Sequence, residues 1–402
     1  VGTAEGASAL RKFLGATGIA MFSAFTLLLV SCGGGGGSEG GDEPIRVGVV
    51  LPYSGVYAQL GEDITDGMNV YFEENKEIAG RPVELVREDE EADPQVGVQA
   101  ARTLIEREGV DILTGAVATP TAYGIIDLIE REQMPFVISN ALGNDATRRG
   151  VEYVFRTSGS SWQVTYPMGE YLAEEGVETI FVSAADYAAG QEMSTDFKDG
   201  FTSAGGEVVG EAYPPLGTND YSTYLTEIRQ ADPEGSWSFF AGTDAVRFVQ
   251  QYAQSGLKEN TTLYGTGNLV DSDTLEAQGE AAIGAQTALF YASTLDTPEN
   301  REFREKFQQQ FDRPASVYAV QGYDAAWLIG EALKATDGNT EDTDALIEAM
   351  ENVEFQSPRG PMRLDENHNP VQNIYIREAR RQGGEIRNVV IDTIEEVQDP
   401  GQ

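Results

Sequence analysis

The chain has 402 residues, 41% of them hydrophobic, and its 66 Asp and Glu against 27 Lys and Arg give a formal charge of −39. The apolar share suffices for a packed core and argues against disorder, while the acidic excess excludes nucleic acid and anionic lipid surfaces as partners, because phosphate is repelled. A single cysteine excludes an intramolecular disulfide.

The acids are dispersed, as in Arg87–Gln95 (REDEEADPQ) and Asp337–Asp344 (DGNTEDTD), and the basic residues are mostly Arg. Such a surface reads as adaptation to high salt, where screening removes self-repulsion; ordinary solubility is the alternative. In chain order, Arg11 and Lys12 precede an apolar run from Phe13 to Val30, the layout of a secretory signal. The run lies near the lower limit for crossing a bilayer, roughly 20 apolar residues, so a transmembrane anchor is the second reading. Leu29-Val30-Ser31-Cys32 resembles the lipobox of prokaryotic lipoproteins, which implies cleavage before Cys32 and a lipid on its sulfur. The glycine tract from Gly33 keeps Cys32 out of any core and makes a flexible spacer to about Glu43. Residues 1–31 are thus expected to be a signal peptide and 32–44 a linker. A body of about 360 residues follows, enough for two lobes at ordinary domain sizes.

The body opens with a β-rich run, Ile45 to Pro52, then a helix over roughly Gly61–Asn75 with Ile64, Met68 and Tyr71 spaced for one buried face. RPVELVRED is the next strand. DPQVGVQAARTLIEREG is a helix that opens on Asp93-Pro94, an N-cap with Pro at the first helical position, and stops at Gly109. VDILTGAV, the helix Thr119–Arg131 and MPFVISN continue the alternation. After Glu152–Ser161 the rhythm restarts: helix WQVTYPMGEYLAEEG, strand TIFVSAAD, helix GQEMSTDFKDGFTSAGG, strand EVVGEAYPP, helix YSTYLTEIRQAD, strand SWSFFAGT, helix DAVRFVQQYAQSG and strand TTLYGTG. Strands alternating with amphipathic helices make βα units of a parallel sheet covered on both faces. Ala282–Ser293 reads as a strand, followed by helices at about Pro298–Phe311, Ser316–Ala335 and Thr343–Asn352. From Gly360 the chain reads as antiparallel strands joined by Asn/Gly turns.

Catalytic signatures are missing. The single His368 sits among turn formers in DENHNP and reads as a turn residue. The sequence has no HExxH, zinc-spaced Cys/His cluster, GxSxG or P-loop, and Gly265–Gly267 lacks the third glycine of a dinucleotide fingerprint. Asp89 and Glu90 lie in a run of like charge and read as a solvated edge. No catalytic residue, metal or cofactor is expected, although a carboxylate-only hydrolase stays open. What recurs is small polar and aromatic residues at the C-terminal ends of strands, where open α/β sheets bind ligands. Ser54 and Gly55 form a tight turn beside Tyr57; Ala118-Thr119-Pro120-Thr121 brings a hydroxyl and backbone N–H groups to a helix N-terminus, which suits a carboxylate. Asn140, Ala141, Leu142 and Gly143 offer an amide and close backbone approach. Asp186, Tyr187 and Gly190, then Thr243 and Asp244, then Thr266, Gly267 and Asn268 follow later strands.

From about Ile45 to Ile391 the chain resembles the branched-chain-amino-acid type of ABC-transporter solute-binding proteins, which have the type I periplasmic-binding-protein fold. The matching stretches are IRVGVVLPYSGVYAQLGEDITDGMNVYFEE, DPQVGVQAARTLIEREGVDILTGAVATP, PFVISNA, YVFRTS, TNDYSTYLTEIRQADP and YAVQGYDAAWLIGEAL. The resemblance implies an α/β fold of two similar lobes, each a mostly parallel sheet with helices on both faces, joined by three hinge crossings near Thr157, Ala288 and Gln356. Lobe I would be 45–157 with 289–356, lobe II 158–288 with 357–395, and 396–402 a tail. Carried over by position, Ala118-Thr119 takes the substrate carboxylate, Asn140, Ala141 and Gly143 form the next loop, and Tyr57 contacts the side chain. Tyr187 matches the pocket tyrosine of lobe II, with Thr243 in the following loop. Gly267 stands where amino-acid binders place the acid that pairs with the ammonium group. A buried unpaired ammonium is costly, so either Asp186, Asp244 or Asp271 substitutes, or the ligand is an aromatic or aliphatic carboxylate or a neutral amide. LPYSGVYAQLGEDITDG is similar to relatives assigned to aromatic acids, a weaker resemblance than that to the family. The implied protein is a monomeric, extracytoplasmic receptor, lipid-anchored through Cys32, that captures a small-molecule solute. It would deliver the solute to the permease and ATPase subunits of an ABC importer. A sensor of the same fold feeding a signalling partner is the alternative.

Overall fold

Ile45–Leu51 is buried along nearly its whole length, the pattern of a central parallel strand covered on both faces. In the computed structural model, which describes residues 43–401, this strand is β1 of a six-stranded sheet. Cys32, the signal and most of the linker lie outside the described residues. The sheet order is β2 (Glu77–Ile78), β3 (Arg81–Asp89), β1, β4 (Ile112–Gly115), β5 (Phe136–Ile138), β6 (Val154–Arg156), all parallel except β2. Between these strands run α1 (Ala58–Glu74), α2 (Pro94–Thr103), α3 (Thr119–Glu132) and α4 (Asp145–Arg148). The Asp93 carboxylate accepts from the N–H groups of Gln95 and Val96 at 2.8 and 3.3 Å and so starts α2 where the sequence places it.

The second sheet has eight strands. Its parallel part is β11 (Gln286–Leu289), β10 (Thr262–Thr266), β9 (Gly235–Phe239), β7 (Thr179–Ala184) and β8 (Glu207–Ala212), interleaved with α5 (Ser161–Glu174), α6 (Ala188–Ser203), α7 (Ser222–Ala231), α8 (Gly242–Gln254) and α9 (Ser272–Gln278). The helices α10 (Pro298–Phe311), α11 (Val317–Ala335) and α12 (Thr343–Glu351) come next in the chain, and α10 and α11 return to the first lobe. There Tyr71 of α1 meets Tyr323 and Trp327 edge-on, and Arg313 pairs with Asp63 and Asp66 at 2.9 and 2.6 Å. α1 and α11 touch backbone to backbone: a Cβ on Gly67 would lie 1.9 Å from Ala319 O, and one on Gly322 would lie 1.9 Å from Ile64 O. The antiparallel β12 (Met362–Leu364), β13 (Pro370–Gln382) and β14 (Glu385–Val397) then complete the second sheet. No helix of the described residues is long and apolar enough to cross a membrane.

Two buried ion pairs tie distant segments together. Arg377 of β13 pairs with Asp271 at 3.2 Å and donates to the carbonyls of Gly267, Val270 and Tyr291. Arg359 pairs with Asp324 of α11 at 2.9 Å and donates to the carbonyls of Thr157 and Ser158. Buried charges are costly unless paired and hydrogen-bonded; Arg377 meets that condition at every guanidinium nitrogen, and Arg359 meets it at its two terminal nitrogens, with its Nε held only by the ion pair to Asp324.

Some expectations differ from the fold in extent. Ala282–Ser293 was expected to be one strand, but only Gln286–Leu289 pairs, because Gly279–Ala281 turns into the stretch before it. The hairpin β2–β3 is absent from the sequence reading; it turns on Ala79 and Gly80, both with positive φ (52° and 81°). β14 runs to Val397, and the nearly buried Asp399 pairs with Arg148 at 2.8 Å in a stretch expected to be a tail. His368 does occupy a turn, with φ 58°; its ring stacks on Phe155 at 4.1 Å and bonds Val154 O and Glu351.

Candidate functional site

β4 ends at Gly115, whose φ of 127° lets the chain pass against Val50, where a Cβ would lie 2.1 Å from the Val50 oxygen. Ala116 also has positive φ (58°), so the backbone turns sharply before α3. Glu90, at the end of β3, holds that turn: its Oε1 accepts from Val117 N at 2.8 Å and Ala118 N at 3.2 Å. Glu90 is fully buried, and burial pushes its carboxyl up to about 7 against those hydrogen bonds. The solvated-edge reading of Glu90 is therefore corrected: the residue that follows β3 is carried beneath the loop that lines the site. Two of the backbone N–H groups before α3 serve Glu90.

The loops after β1, β4 and β5 and the start of α11 converge on the second lobe around a cavity of ≈ 30 Å³. Tyr57, Leu60, Val117, Thr119, Asn140, Leu142 and Tyr318 form its first-lobe wall. Tyr187, Ala189, Met193, Phe239, Ala241 and Asn268 form the wall from the second lobe. Across it the Tyr57 hydroxyl donates to the Tyr187 hydroxyl at 3.3 Å. Burial raises both phenols, Tyr57 well above its ordinary value and Tyr187 up to about 12, so both stay neutral donor–acceptors at physiological pH. Asn140 donates to Gln321 at 2.6 Å, and Asn268 donates to the Tyr318 hydroxyl at 3.0 Å. Larger grooves, of ≈ 610 and ≈ 320 Å³, flank Trp327 on the surface, but neither is shared between the lobes or lined by these loops.

The structure thus brings together Tyr57, Thr119, Asn140, Leu142, Tyr187 and Asn268 and leaves Ala141, Gly143, Thr243 and Gly267 outside the lining. The Ala141 N–H is engaged by Ala116 O at 2.9 Å. Gly143 allows close packing, since a Cβ there would lie 2.4 Å from Thr119 Cγ2. Thr243 faces solvent in the first turn of α8, and Ala241 lines the cavity instead. Gly267 packs against Leu289 and Arg377, and its neighbour Asn268 lines the cavity. None of the candidate counter-charges lines it either. Asp186 is exposed and bonds Gln191; Asp244 accepts from Gly217 N at 2.7 Å and pairs with Arg247; Asp271 pairs with Arg377. Met193, Phe239 and Tyr318, which the sequence did not single out, supply much of the apolar wall. Among the described residues, no group of three or more His, Cys, Asp or Glu could hold a metal ion.

Comparison with known proteins gives a consistent set. A family model described as periplasmic binding protein matches residues 44–385. The Leu/Ile/Val-binding protein homolog 6 of Brucella melitensis is 34% identical over 365 residues, covering 89% of this chain and 93% of that protein. The solute binding protein of an ABC transporter from R. palustris, solved in complex with benzoate, superposes with a TM-score of 0.83 at 34% identity, covering 88% of this chain and 98% of that one. Another R. palustris solute binding protein, in complex with 4-hydroxybenzoate, gives a TM-score of 0.84 at 30% identity over 89% and 99% of the two chains.

Proposed function

The chain belongs to the periplasmic binding protein family, as a solute receptor of the ABC-importer type, and from that premise we propose that its solute is an aromatic carboxylate. One observation carries the reading: no acidic or basic side chain lines the cavity among the described residues. An α-amino acid would bury its ammonium there without a counter-charge, which is costly. An aromatic acid needs only an apolar slot, here Leu60, Leu142, Met193 and Phe239, and neutral donors for its carboxylate. Thr119, at the N-terminal end of α3, supplies a hydroxyl beside the positive end of the helix dipole. The relatives solved with benzoate and 4-hydroxybenzoate support the same class.

The closed cavity has room for about one water, so the solute enters when the lobes part and closes them by contacting both. The hinge passes near Thr157, Ala288 and Gln356, with Arg359 tying the first passage to the segment after the third. The closed receptor presents both lobes to a permease, while ATP is hydrolysed by separate subunits. Attachment of a lipid at Cys32, a monomeric state, binding without turnover and work in a salt-rich medium complete the reading. A thermal-shift screen in molar salt tests it, using benzoate, aliphatic carboxylates, amides and leucine. Ligand at about 100 times its Kd adds roughly 2.7 kcal/mol of stability. Stabilisation by leucine but by no aromatic acid would sink the proposal. Recovery of the ligand unchanged after incubation checks that binding is not followed by reaction.

A further inference from the structure

We propose that Asn268 selects, among aromatic acids, those with a hydroxyl on the ring carbon opposite the carboxylate. The inference rests on the aromatic-acid reading above and extends it to the far end of the cavity. Asn268 is 8% exposed, lines the cavity and donates through Nδ2 to the Tyr318 hydroxyl. Its Oδ1 is buried and accepts no hydrogen bond among the described residues. A buried carbonyl left unpaired is costly, and a donor brought by the ligand removes that cost.

The two ends of the cavity lie in the right places for this. Tyr187 follows β7 and Asn268 follows β10, with β9 between those strands. Strand spacing therefore separates their loops by roughly 10 Å, the scale of a benzoate with a substituent opposite its carboxylate. The carboxylate end is the α6 end. Tyr123 of α3 donates to Glu192 of α6 at 3.4 Å, which sets the start of α3, with Thr119, beside the loop of Tyr187. Phe239, between the two ends, takes the ring face. The opposite end is then closed by Asn268 and Tyr318, and Asn268 Oδ1 is, among the described residues, a buried acceptor there without a hydrogen bond.

The test is calorimetric titration of the full chain with benzoate, 4-hydroxybenzoate and 4-methylbenzoate, the last matching the hydroxyl in size without a donor. The hydroxy acid is expected to bind about tenfold more tightly than either of the others, the range of one neutral hydrogen bond. Asn268→Leu is expected to erase that preference, bringing the affinities for 4-hydroxybenzoate and 4-methylbenzoate to within about twofold of each other. Equal binding of 4-methylbenzoate and 4-hydroxybenzoate would overturn the inference and leave the aromatic-acid reading standing, as would a preference that survives Asn268→Leu. Binding of none of the three acids would overturn both. Should Asn268→Leu fail to fold, the hydroxyl-against-methyl comparison on the unaltered chain remains decisive.

Discussion

Replacing Glu90 by Gln separates the charge of this residue from its hydrogen bonds. The Gln oxygen keeps both bonds to Val117 N and Ala118 N, and the new amide nitrogen takes the place of Oε2, beside the Thr121 hydroxyl. Burial raises the Glu90 carboxyl from the ordinary 4.5 to about 7. The folded protein therefore holds this proton over a range where the unfolded chain has lost it, and stability falls as pH rises. The contribution is intact below 4.5, is lost progressively as pH climbs through 7, and is flat beyond. The gap is worth about 3 kcal/mol at the upper bound. Because the site is dry, salt screens it little. Denaturant unfolding of both proteins at about pH 4.5 and pH 8.5 reads this directly. Glu90→Gln is expected to match the unaltered chain at the lower pH and to exceed it by up to about 3 kcal/mol at the higher. Other groups raised by burial, such as Asp324, cancel in the comparison. A stability difference that is the same at both pH values would refute the reasoning.

Thr119→Ala should weaken a carboxylate ligand by about 1.5–3 kcal/mol, the range for hydrogen bonds to charged groups; unchanged affinity by calorimetry would remove Thr119 from the site. Asp196 of α6 accepts from Asn144 Nδ2 at 2.8 Å across the lobes, and burial pushes it up to about 7, with Glu192 and Asp399 adding to and Arg148 opposing the shift. Opening returns Asp196 to water, so the closed form holds the proton and ligand affinity should fall as pH rises towards and through 7. Asp196→Asn should flatten that profile, and a slope identical in both proteins would count against Asp196 as its source. Gly322→Ala forces a methyl into Ile64 O, and overpacking of this kind costs about 1–3 kcal/mol; a wild-type denaturation midpoint would mean that α1 and α11 separate freely.

The sequence made most elements legible wherever the signal was local. Asp93-Pro94 caps α2, Thr297-Pro298 starts α10, and the apolar run of β1 declares a strand covered on both faces. The site was legible where residues stand at strand ends, as with Tyr57, Thr119, Asn140 and Tyr187. It failed where a single position decides the direction of a side chain. The loop after β10 turns so that Asn268, not Gly267, meets the cavity. It failed also where burial is imposed from afar. Glu90 sits in an acidic string that reads as solvent-facing, and the loop that covers it lies 27 residues on. Asp271 gains its partner from Arg377, 106 positions away, which no local pattern announces.

The close contact of α1 with α11 also dictates an order of events in time. Ser316, at the start of α11, donates to Asp63 of α1 across 253 positions of sequence. The strands β7 to β10, by contrast, arise from one unbroken stretch of chain. Loop closure over so long a span is entropically slow and is repaid only once both helices exist. The second lobe can therefore assemble its parallel strands while the first still waits, with the apolar face of α1 uncovered, for Val317–Ala335 to arrive. A chain interrupted before α11 would retain all the strands of its first sheet and still lack the helix that covers them.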